Sequence, residues 1–361
     1  MSIPNTQTAL KIKAPGQFQV VSSAVPELDP DEILVRVVCI AINPVDGKSA
    51  DLSPTIGATS GCDFSGEVVK LGSAVSEDSL QVGERVCGCV FGNNPDRPDN
   101  GAFAQYVAVP AELVFKIPPG MSYETGATLS VGLSTVGIAL YHTWRLPLPS
   151  SSSQIPDDST ASGSRTVLVY GGGTATGTLA IQMLRRSGLI PITTCSPRNF
   201  SRVQSLGAAA AFDYASPTCG QDIREFTQGT LSFALDCIAD LGSMKICYEA
   251  IGSDGGQYLS LEPFPLRGHT RRSVRPTWII SLTMFNKPIR WKRPYQRDGK
   301  PRDREFAARW FRLAQQILDE GEISLHPHRV SRRGLGSVIG GLEAVHKGEV
   351  AGVKLVYYIG R

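Results

Sequence analysis

The stretch Thr166-Val-Leu-Val-Tyr-Gly-Gly-Gly-Thr-Ala-Thr-Gly177 decides how this chain folds. Its first five residues predict a buried strand, and a glycine-rich turn follows directly. Residues 178–186 carry apolar side chains at spacings that predict an amphipathic helix. A strand, a glycine turn and a helix in this order favour the pyrophosphate of a dinucleotide, because a helix N-terminus attracts anions. Thr176 occupies the third position of the usual Gly-x-Gly-x-x-Gly pattern, and Gly177 comes one residue later.

Strands and helices alternate after this turn. The sequence predicts strands at 189–195, 231–236 and 257–261 and helices at 200–206 and 244–251. This alternation indicates a parallel, doubly wound sheet. The chain is therefore expected to contain an α/β dinucleotide-binding domain.

The residues before the glycine turn have a different pattern. Short β-branched runs at 32–41, 66–71 and 84–90 predict a small β-barrel. The segment 149–164 is rich in serine and is predicted to be a flexible surface loop.

The last part of the chain is expected to return to the barrel. It contains a predicted helix at 304–319, a helical segment at 335–346 and a terminal strand at 354–359. We therefore predict a barrel domain that binds substrate, made of residues 1–150 and 300–361. The dinucleotide-binding domain, residues 151–299, is inserted between its two parts.

The composition is that of a folded, two-domain protein. The chain has 361 residues, whereas single hydrophobic cores stop growing at about 250–300 residues. No apolar stretch reaches the roughly 20 residues needed to cross a bilayer, and the first eight residues do not resemble a signal peptide. We therefore expect a cytoplasmic protein without membrane contacts. Most of the eight cysteines lie in apolar runs, which favours buried free thiols, and Cys87-Gly-Cys89 lacks the further ligands of a zinc site.

Positive charge is concentrated in one segment. Residues 267–304 contain twelve Lys or Arg residues and two acids, a local net charge of +10, although the whole chain has a net charge of only +3. A basic patch on an otherwise acidic protein suggests one localised anionic partner, or else a solvated loop. No nucleic-acid recognition motif accompanies the charge, so we expect no nucleic-acid partner.

The end of the second predicted strand bears on the choice of cofactor. NAD enzymes place an acidic residue there to hold the ribose 2′-hydroxyl, but this chain has Cys195-Ser-Pro-Arg-Asn199. Ser196 and Arg198 offer a hydroxyl and a cation to a 2′-phosphate, and Tyr214 is placed to reach the same end of the cofactor. The sequence therefore favours NADPH, with Arg198 as an ordinary solvated loop residue as the alternative.

Further motifs occur in order along the chain. They are Asn43-Pro-Val-Asp46, Asp63-Phe-Ser-Gly-Glu-Val68, Val82-Gly-Glu-Arg-Val86, Gly101-Ala-Phe-Ala-Gln-Tyr106 and Gly348-Glu-Val-Ala-Gly-Val-Lys354. With these motifs the chain resembles the medium-chain dehydrogenase/reductase superfamily from about residue 8 to residue 359. Its zinc-dependent alcohol dehydrogenases have a Gly-His-Glu segment where this chain has Gly61-Cys-Asp63. The resemblance therefore implies a zinc-free enzyme with no metal ligands.

Four stretches carry a closer resemblance. Residues 41–48, 146–150, 168–176 and 194–200 are similar to the trans-acting enoyl reductases that serve highly reducing polyketide synthases. That resemblance implies a GroES-like β-barrel substrate domain and a Rossmann cofactor domain. It also implies NADPH as cofactor, an enoyl thioester on an acyl carrier domain as substrate, and a monomer.

The resemblance also implies which residues form the sites. The implied cofactor contacts are Val45, Asp46, Gly47, Lys48, Gly173, Thr174, Ala175, Thr176, Ser196, Pro197, Arg198, Asn199, Tyr214, Leu261, Glu262, Ala351 and Gly352. The implied substrate contacts are Thr135, Val136, Gly137, Ile138, Ala139, Leu140, Tyr141, His142, Leu282, Thr283, Met284, Phe285 and Asn286. Glu262 departs from the family's pattern, in which an amide such as Asn is expected.

Catalysis in such an enzyme depends on stabilising the enolate oxygen. Lys48 and Thr135 are the candidates, since a cation or a hydroxyl near the thioester carbonyl stabilises developing negative charge. The alternative for Lys48 is a cofactor-binding or surface lysine. The apolar run at 279–285 either lines an acyl tunnel or packs in a core.

Two other functions remain open on the sequence alone. A zinc-free NADPH quinone reductase would share nearly every cofactor motif. A non-catalytic scaffold would bind NADPH and a synthase without consuming the nicotinamide. The basic segment is a candidate docking surface for an acidic acyl carrier domain.

Overall fold

The structure, a computed structural model, describes residues 3–150 and 165–359. Up to residue 143 its elements are β1 (Thr6–Ala14), β2 (Gln17–Ala24), β3 (Glu32–Ala41), α1 (Pro44–Leu52), β4 (Asp63–Leu71), β5 (Arg85–Cys89), β6 (Tyr106–Pro110), β7 (Val114–Lys116), α2 (Tyr123–Gly126), α3 (Ser130–Val136) and a π-helix (Gly137–Thr143). The serine-rich segment predicted to be a loop lies, from residue 151 to 164, outside the described residues.

The second part of the chain alternates strands and helices as predicted. Its elements are β8 (Thr166–Tyr170), α4 (Ala175–Arg186), β9 (Ile190–Cys195), α5 (Phe200–Ser205), β10 (Ala210–Asp213), α6 (Cys219–Phe226), β11 (Phe233–Asp236), α7 (Leu241–Ala250), β12 (Gly256–Ser260) and β13 (Val274–Trp278). The remaining elements are a short 3₁₀ helix (Ser281–Phe285), α8 (Pro301–Asp319), β14 (His328–Ser331), α9 (Val338–His346) and β15 (Lys354–Tyr358).

The chain divides into two compact units. Among the described residues, the barrel unit contains 3–134, 282–319 and 325–359, and the dinucleotide unit contains 135–150, 165–281 and 320–324. These boundaries differ from the predicted ones in three segments: 135–150, 282–299 and 320–324.

Specific contacts explain each difference. Residues 135–150 belong to the dinucleotide unit because Tyr141 hydrogen-bonds Ser187 at 2.9 Å and the Ser150 N–H donates to the end of α4. Residues 282–299 belong to the barrel unit, where the Trp291 indole N–H donates to the Asn93 carbonyl oxygen at 2.8 Å. Residues 320–324 are held by α4, since the Arg186 guanidinium lies 3.0 Å from both Glu320 and Glu322.

The dinucleotide unit is built on a six-stranded parallel sheet. Its strand order is β10-β9-β8-β11-β12-β13, so the order reverses between β8 and β11. Ligands of such sheets bind outside the carboxyl ends of the strands at this switch point. The Rossmann prediction is confirmed. The basic segment 267–304 contains the sixth strand, β13.

The barrel unit contains a seven-stranded sheet in the order β14-β15-β3-β4-β5-β7, with β6 also paired to β3. A separate hairpin joins β1 to β2 through Pro15 and Gly16, where Gly16 has a φ of +65°. The core packs Ile33, Val35, Phe64 and Phe103 at 0% exposure. The predicted GroES-like fold is confirmed, with the sheet packed against this apolar core and a smaller buried cluster that includes Val38 and Val356.

Two further sequence features can be compared with the structure. All eight cysteines are free; seven are buried as predicted, whereas Cys237 is half-buried. Each helix in residues 3–150 and 165–359 is too short or too polar to span a bilayer.

Candidate functional site

The glycine turn after β8 is tightly held by the neighbouring strand. Gly171 has a φ of +86°, a region that favours glycine. The Gly172 N–H donates to the carbonyl oxygen of Thr194 in β9 at 2.9 Å, and a Cβ at Gly172 would overlap the Thr193 hydroxyl. The turn is therefore fixed against β9 and brings the backbone close to the carboxyl edge of the sheet.

Gly177 carries out the function usually assigned to the third glycine of this motif. A Cβ at this position would overlap the Gly171 carbonyl oxygen and lie 2.9 Å from Gly172 Cα. Only glycine lets α4 approach the turn this closely. The shift by one residue seen in the sequence therefore preserves the close packing of helix and strand.

The N-terminus of α4 is prepared to bind an anion. Thr174 caps the helix, accepting the Gly177 N–H at 3.0 Å and donating to the Gly171 carbonyl oxygen at 2.8 Å. Among the described residues, no protein acceptor is recorded for the N–H groups of Gly173, Ala175 and Thr176. These donors and the helix dipole fit a pyrophosphate.

The end of β9 provides polar groups suited to a 2′-phosphate. The hydroxyl oxygens of Ser196 and Tyr214 lie 3.2 Å apart. Arg198 is exposed on the short 3₁₀ turn Pro197–Asn199, which follows Ser196 and precedes α5. A Cβ at Gly173 would lie 2.9 Å from Asn199 Nδ2, so Asn199 adjoins the glycine turn. The glycine turn follows β8, and the residues predicted to bind the 2′-phosphate follow β9. The two parts of the predicted nucleotide site therefore lie at the ends of neighbouring strands.

Asp213 is the acidic residue at the end of β10, beside this group. Its carboxylate accepts the Ala215 N–H at 2.9 Å and so stabilises the local turn. No carboxylate stands at the end of β9 itself, where an NAD enzyme holds the ribose 2′-hydroxyl.

A buried carboxylate shapes the other side of the switch point and was missed in the sequence. Asp236, at the end of β11, accepts hydrogen bonds from the Ile238 and Ala239 N–H groups at 2.9 Å, from Ser243 at 2.6 Å and from Tyr258 at 2.7 Å. Burial raises the pKa of this carboxyl, and the donors oppose that shift. The sequence feature that could have identified Asp236 is an acidic residue at the end of an otherwise apolar strand.

Leu261 and Glu262 directly follow the next strand, β12, which ends at Ser260. The Ser260 hydroxyl donates to the Glu262 carbonyl oxygen at 2.7 Å, and the Leu261 N–H donates to the carbonyl oxygen of Asp236 at 3.2 Å. Both residues are half-buried at the carboxyl edge that also carries Gly171. The structure thus positions Leu261 and Glu262 at the carboxyl edge of the sheet, and their contact with a cofactor stays a prediction.

In the barrel unit, the predicted contacts on α1 adjoin a buried polar network. Asp46 accepts the Asn43 N–H at 2.7 Å, and the Asn43 side-chain amide donates to Asp63 at 2.9 Å. Asp63 also accepts the Val131 N–H at 2.8 Å and pairs with Lys354. The network joins the start of α1, which contains Val45, Gly47 and the exposed Lys48, to the start of β15, just after Ala351 and Gly352.

Two side chains in this region have raised pKa values. Burial raises the pKa of Asp46 to about 7, and Asp46 is only 2% exposed. Burial also raises the pKa of the Cys62 thiol, which adjoins Asp46. Sequence reasoning placed Asp46 at the cofactor and did not identify its neighbours Asp63 and Lys354 as ion-paired partners.

The position at which zinc enzymes carry their ligands is occupied differently here. Asp63 is held at both of its carboxylate oxygens by protein donors, which are the Asn43 amide, the Val131 N–H and the Lys354 ammonium. Within residues 3–150 and 165–359, no group of three His, Cys, Asp or Glu side chains is arranged to hold a metal ion.

The implied substrate residues fall into both units. Thr135 and Val136 end α3, and the π-helix Gly137–Thr143 follows in the dinucleotide unit with residues 137–141 buried. In the barrel unit, Leu282, Thr283, Met284 and Phe285 are buried in a 3₁₀ helix, whereas Asn286 is exposed with a φ of +52°. π-helical turns are rare and occur frequently at functional sites.

The comparisons with known proteins agree with this architecture. The alcohol dehydrogenase GroES-like domain matches residues 29–119. A trans-enoyl reductase of Emericella nidulans is 54% identical over 99% of this chain and 98% of its own length, and one of Penicillium oxalicum is 55% identical over 99% and 98%. The chain belongs to the trans-enoyl reductase family.

Solved structures share the fold of this trans-enoyl reductase at low identity. The CurK enoyl reductase superposes with a TM-score of 0.75 at 16% identity, over 99% of this chain and 100% of its own. A putative NADPH:quinone reductase of Bacillus thuringiensis gives 0.74 at 18% identity, over 98% of each chain. These structures show that the chain has the medium-chain fold. Membership of the trans-enoyl reductase family makes the chain an oxidoreductase, and its glycine turn suits a nicotinamide dinucleotide.

Proposed function

We propose that this enzyme transfers a hydride from NADPH to the β-carbon of an α,β-unsaturated polyketide thioester. The thioester is carried by the acyl carrier domain of a highly reducing polyketide synthase. The observation that carries the proposal is the near-complete alignment with trans-enoyl reductases, together with the dinucleotide site at the end of β8.

The residues at the end of β9 support NADPH over NADH. Arg198 is exposed beside the Ser196–Tyr214 pair, and these groups offer a cation and two hydroxyls to a 2′-phosphate. Arg198→Ala should raise KM for NADPH by about 10- to 100-fold, the effect of losing a hydrogen bond to a charged group, and leave KM for NADH nearly unchanged. Equal changes for both cofactors would contradict this role.

The protein's part in the reaction is orientation and charge stabilisation. NADPH, when bound, supplies the hydride to the β-carbon; the α-carbon takes a proton from water, and the carbon–carbon double bond becomes single. Negative charge develops on the thioester oxygen during this change. We assign its stabilisation to the Lys48 ammonium and the Thr135 hydroxyl.

Separate variants test these two residues. Loss of one such donor commonly lowers the rate by about 10²- to 10³-fold. Lys48→Ala and Thr135→Val are therefore expected to lower kcat at saturating NADPH. KM for NADPH should change little in Thr135→Val, whereas Lys48→Ala also removes an implied cofactor contact. Full turnover by Lys48→Ala with intact cofactor binding would remove Lys48 from catalysis.

An isotope experiment tests the reaction itself. The enzyme is incubated with NADPH deuterated at C4 of the nicotinamide and an enoyl thioester, and the product is analysed by mass spectrometry. We expect one deuterium at the β-carbon. Reduction of a quinone with no label in the thioester would identify a quinone reductase, and cofactor binding without oxidation of NADPH would identify a scaffold.

A further inference from the structure

The basic residues of segment 267–304 have very different surroundings in the folded chain. The Arg271 guanidinium is not available to a partner, because it donates to the carbonyl oxygens of Tyr248, Ile251 and Gly252 at the end of α7. Three others pair with carboxylates of the barrel unit: Lys287 with Asp29 at 3.5 Å, Arg290 with Asp96 at 2.7 Å and Arg304 with Glu112 at 2.6 Å. Three of the twelve positive charges of the segment are therefore compensated by ion pairs. Arg271, although it lies in the predicted docking segment, is occupied by contacts within the chain.

One exposed face of α8 keeps its positive charge. Arg302, Arg309 and Arg312 are exposed on it, and Lys300 is exposed just before the helix. At about 100° and 1.5 Å per residue, the three arginines lie within an arc of about 80° and along about 15 Å of the helix. Among the described residues, none of these four side chains has a recorded ion pair. Glu305 is the one acid between them on this face.

The opposite face of α8 fixes the helix to the barrel unit. The Trp310 indole N–H donates to the Leu133 carbonyl oxygen at 2.9 Å, and the Phe311 ring stacks on Phe115 with centroids 4.5 Å apart. Gln315 exchanges hydrogen bonds with the backbone of Lys116. The arginines therefore project from a rigid platform, so little backbone entropy is lost when a partner binds.

We propose that this arginine face, Lys300, Arg302, Arg309 and Arg312, is the docking surface for the acyl carrier domain. The inference rests on the proposed function, which requires a carrier-bound substrate. The occupant must be anionic: the phosphodiester of the phosphopantetheine arm always carries a negative charge, and an acidic carrier surface complements the rest of the face. Arginines without an ion-pair partner attract such a partner more strongly than Lys287, Arg290 and Arg304, whose charges are already paired.

Two triple variants with equal charge changes test the surface. Arg302→Glu/Arg309→Glu/Arg312→Glu reverses the face, and Arg267→Glu/Arg272→Glu/Arg275→Glu reverses three exposed arginines of the dinucleotide unit. Reversal of the face should raise KM for the thioester on the holo-carrier domain by about tenfold or more, whereas the control triple should raise it much less. KM for the N-acetylcysteamine thioester, which lacks the phosphate and the carrier, should not change. Melting temperatures show that both triples are folded.

A variant that removes a negative charge from the face provides a second test. Glu305→Gln removes the acid within the face and should lower KM for the holo-carrier substrate without affecting the N-acetylcysteamine thioester. Equal effects of both triples, equal effects on both substrates, or a higher carrier KM for Glu305→Gln would overturn the proposal.

Direct binding keeps the docking test independent of catalysis. Fluorescence anisotropy of the labelled holo-carrier domain should show binding to the parent enzyme that is weakened by the face triple and by salt, with the apo-carrier domain bound more weakly. If the parent reduces neither thioester but binds the carrier through this face, the proposed function fails and the docking surface stands. Unchanged carrier binding by the face triple would overturn the docking surface alone.

Discussion

At the scale of single residues, Gly177 decides whether the nucleotide turn can form. In Gly177→Ala the new methyl group would meet backbone atoms of Gly171 and Gly172, which cannot move aside as a flexible side chain can. Overpacking of this kind costs about 1–3 kcal/mol, so we expect a lower melting temperature and weaker NADPH binding. Gly340→Ala is the matched control, since its Cβ would meet nothing within 4 Å in α9 and alanine favours a helix. Equal losses in both variants would contradict this role.

Asp46 gives a residue-scale prediction about pH. Its pKa is raised to about 7 by burial, against 3.8 in an ordinary environment. The folded chain therefore keeps a proton that the unfolded chain loses, so this contribution to stability is complete below about pH 4 and is lost as the pH rises towards 7. The full shift corresponds to at most about 4 kcal/mol.

Asp46→Asn removes this titration and keeps an oxygen that can accept the Asn43 N–H. Urea denaturation between pH 4 and pH 8 should show a flatter pH dependence for the variant and greater stability than the parent above pH 7. Parallel stability curves for the two proteins would show that Asp46 titrates normally.

At the scale of secondary-structure elements, Arg271 completes the C-terminus of α7. Its three hydrogen bonds, at 2.5–2.8 Å, satisfy carbonyl oxygens that have no partner within a helix. Arg271→Ala should lower the free energy of unfolding by about 1–3 kcal/mol, as expected for hydrogen bonds to a charged donor. Arg272→Ala, which alters the exposed neighbouring arginine, should change stability by less than about 0.5 kcal/mol. A similar effect of both substitutions in chemical denaturation would argue against the cap.

The elements also show why sequence reasoning found some features and missed others. The buried strand β8 was predicted with its observed bounds, because uninterrupted apolar residues next to glycines have few alternative structures. β13 was missed, since Pro276 and two charged or polar neighbours disguise an edge strand that pairs on one side only. The nine-residue α1 was also missed. It has little apolar periodicity, and its first turn depends on Asn43, Asp46 and contacts made by distant residues.

At the scale of the whole molecule, the barrel unit must be assembled from segments on both sides of the dinucleotide unit. Contacts between residues that are far apart in the sequence are therefore needed to form this unit. The local sequence pattern gives no information about which residues make these contacts. Lys354 and Asp63 are 291 residues apart, yet their side chains are only 5% and 0% exposed and form an ion pair. The sequence suggested that the tail returns to the barrel but did not identify this pair.

Lys354→Met should be strongly destabilising, because it leaves the Asp63 carboxylate buried without its cation. Breaking one side of a buried ion pair typically costs about 3–5 kcal/mol, whereas replacing both partners by neutral groups costs much less. Asp63→Asn keeps the carbonyl oxygen that can accept the Val131 N–H, so the double variant Asp63→Asn/Lys354→Met should recover a large part of the loss. Chemical denaturation of the parent, both single variants and the double variant forms a double-mutant cycle that measures the coupling. Strictly additive losses would mean that the ion pair does not stabilise the barrel unit. The N-terminal and C-terminal segments of the unit would then be held together by apolar packing alone.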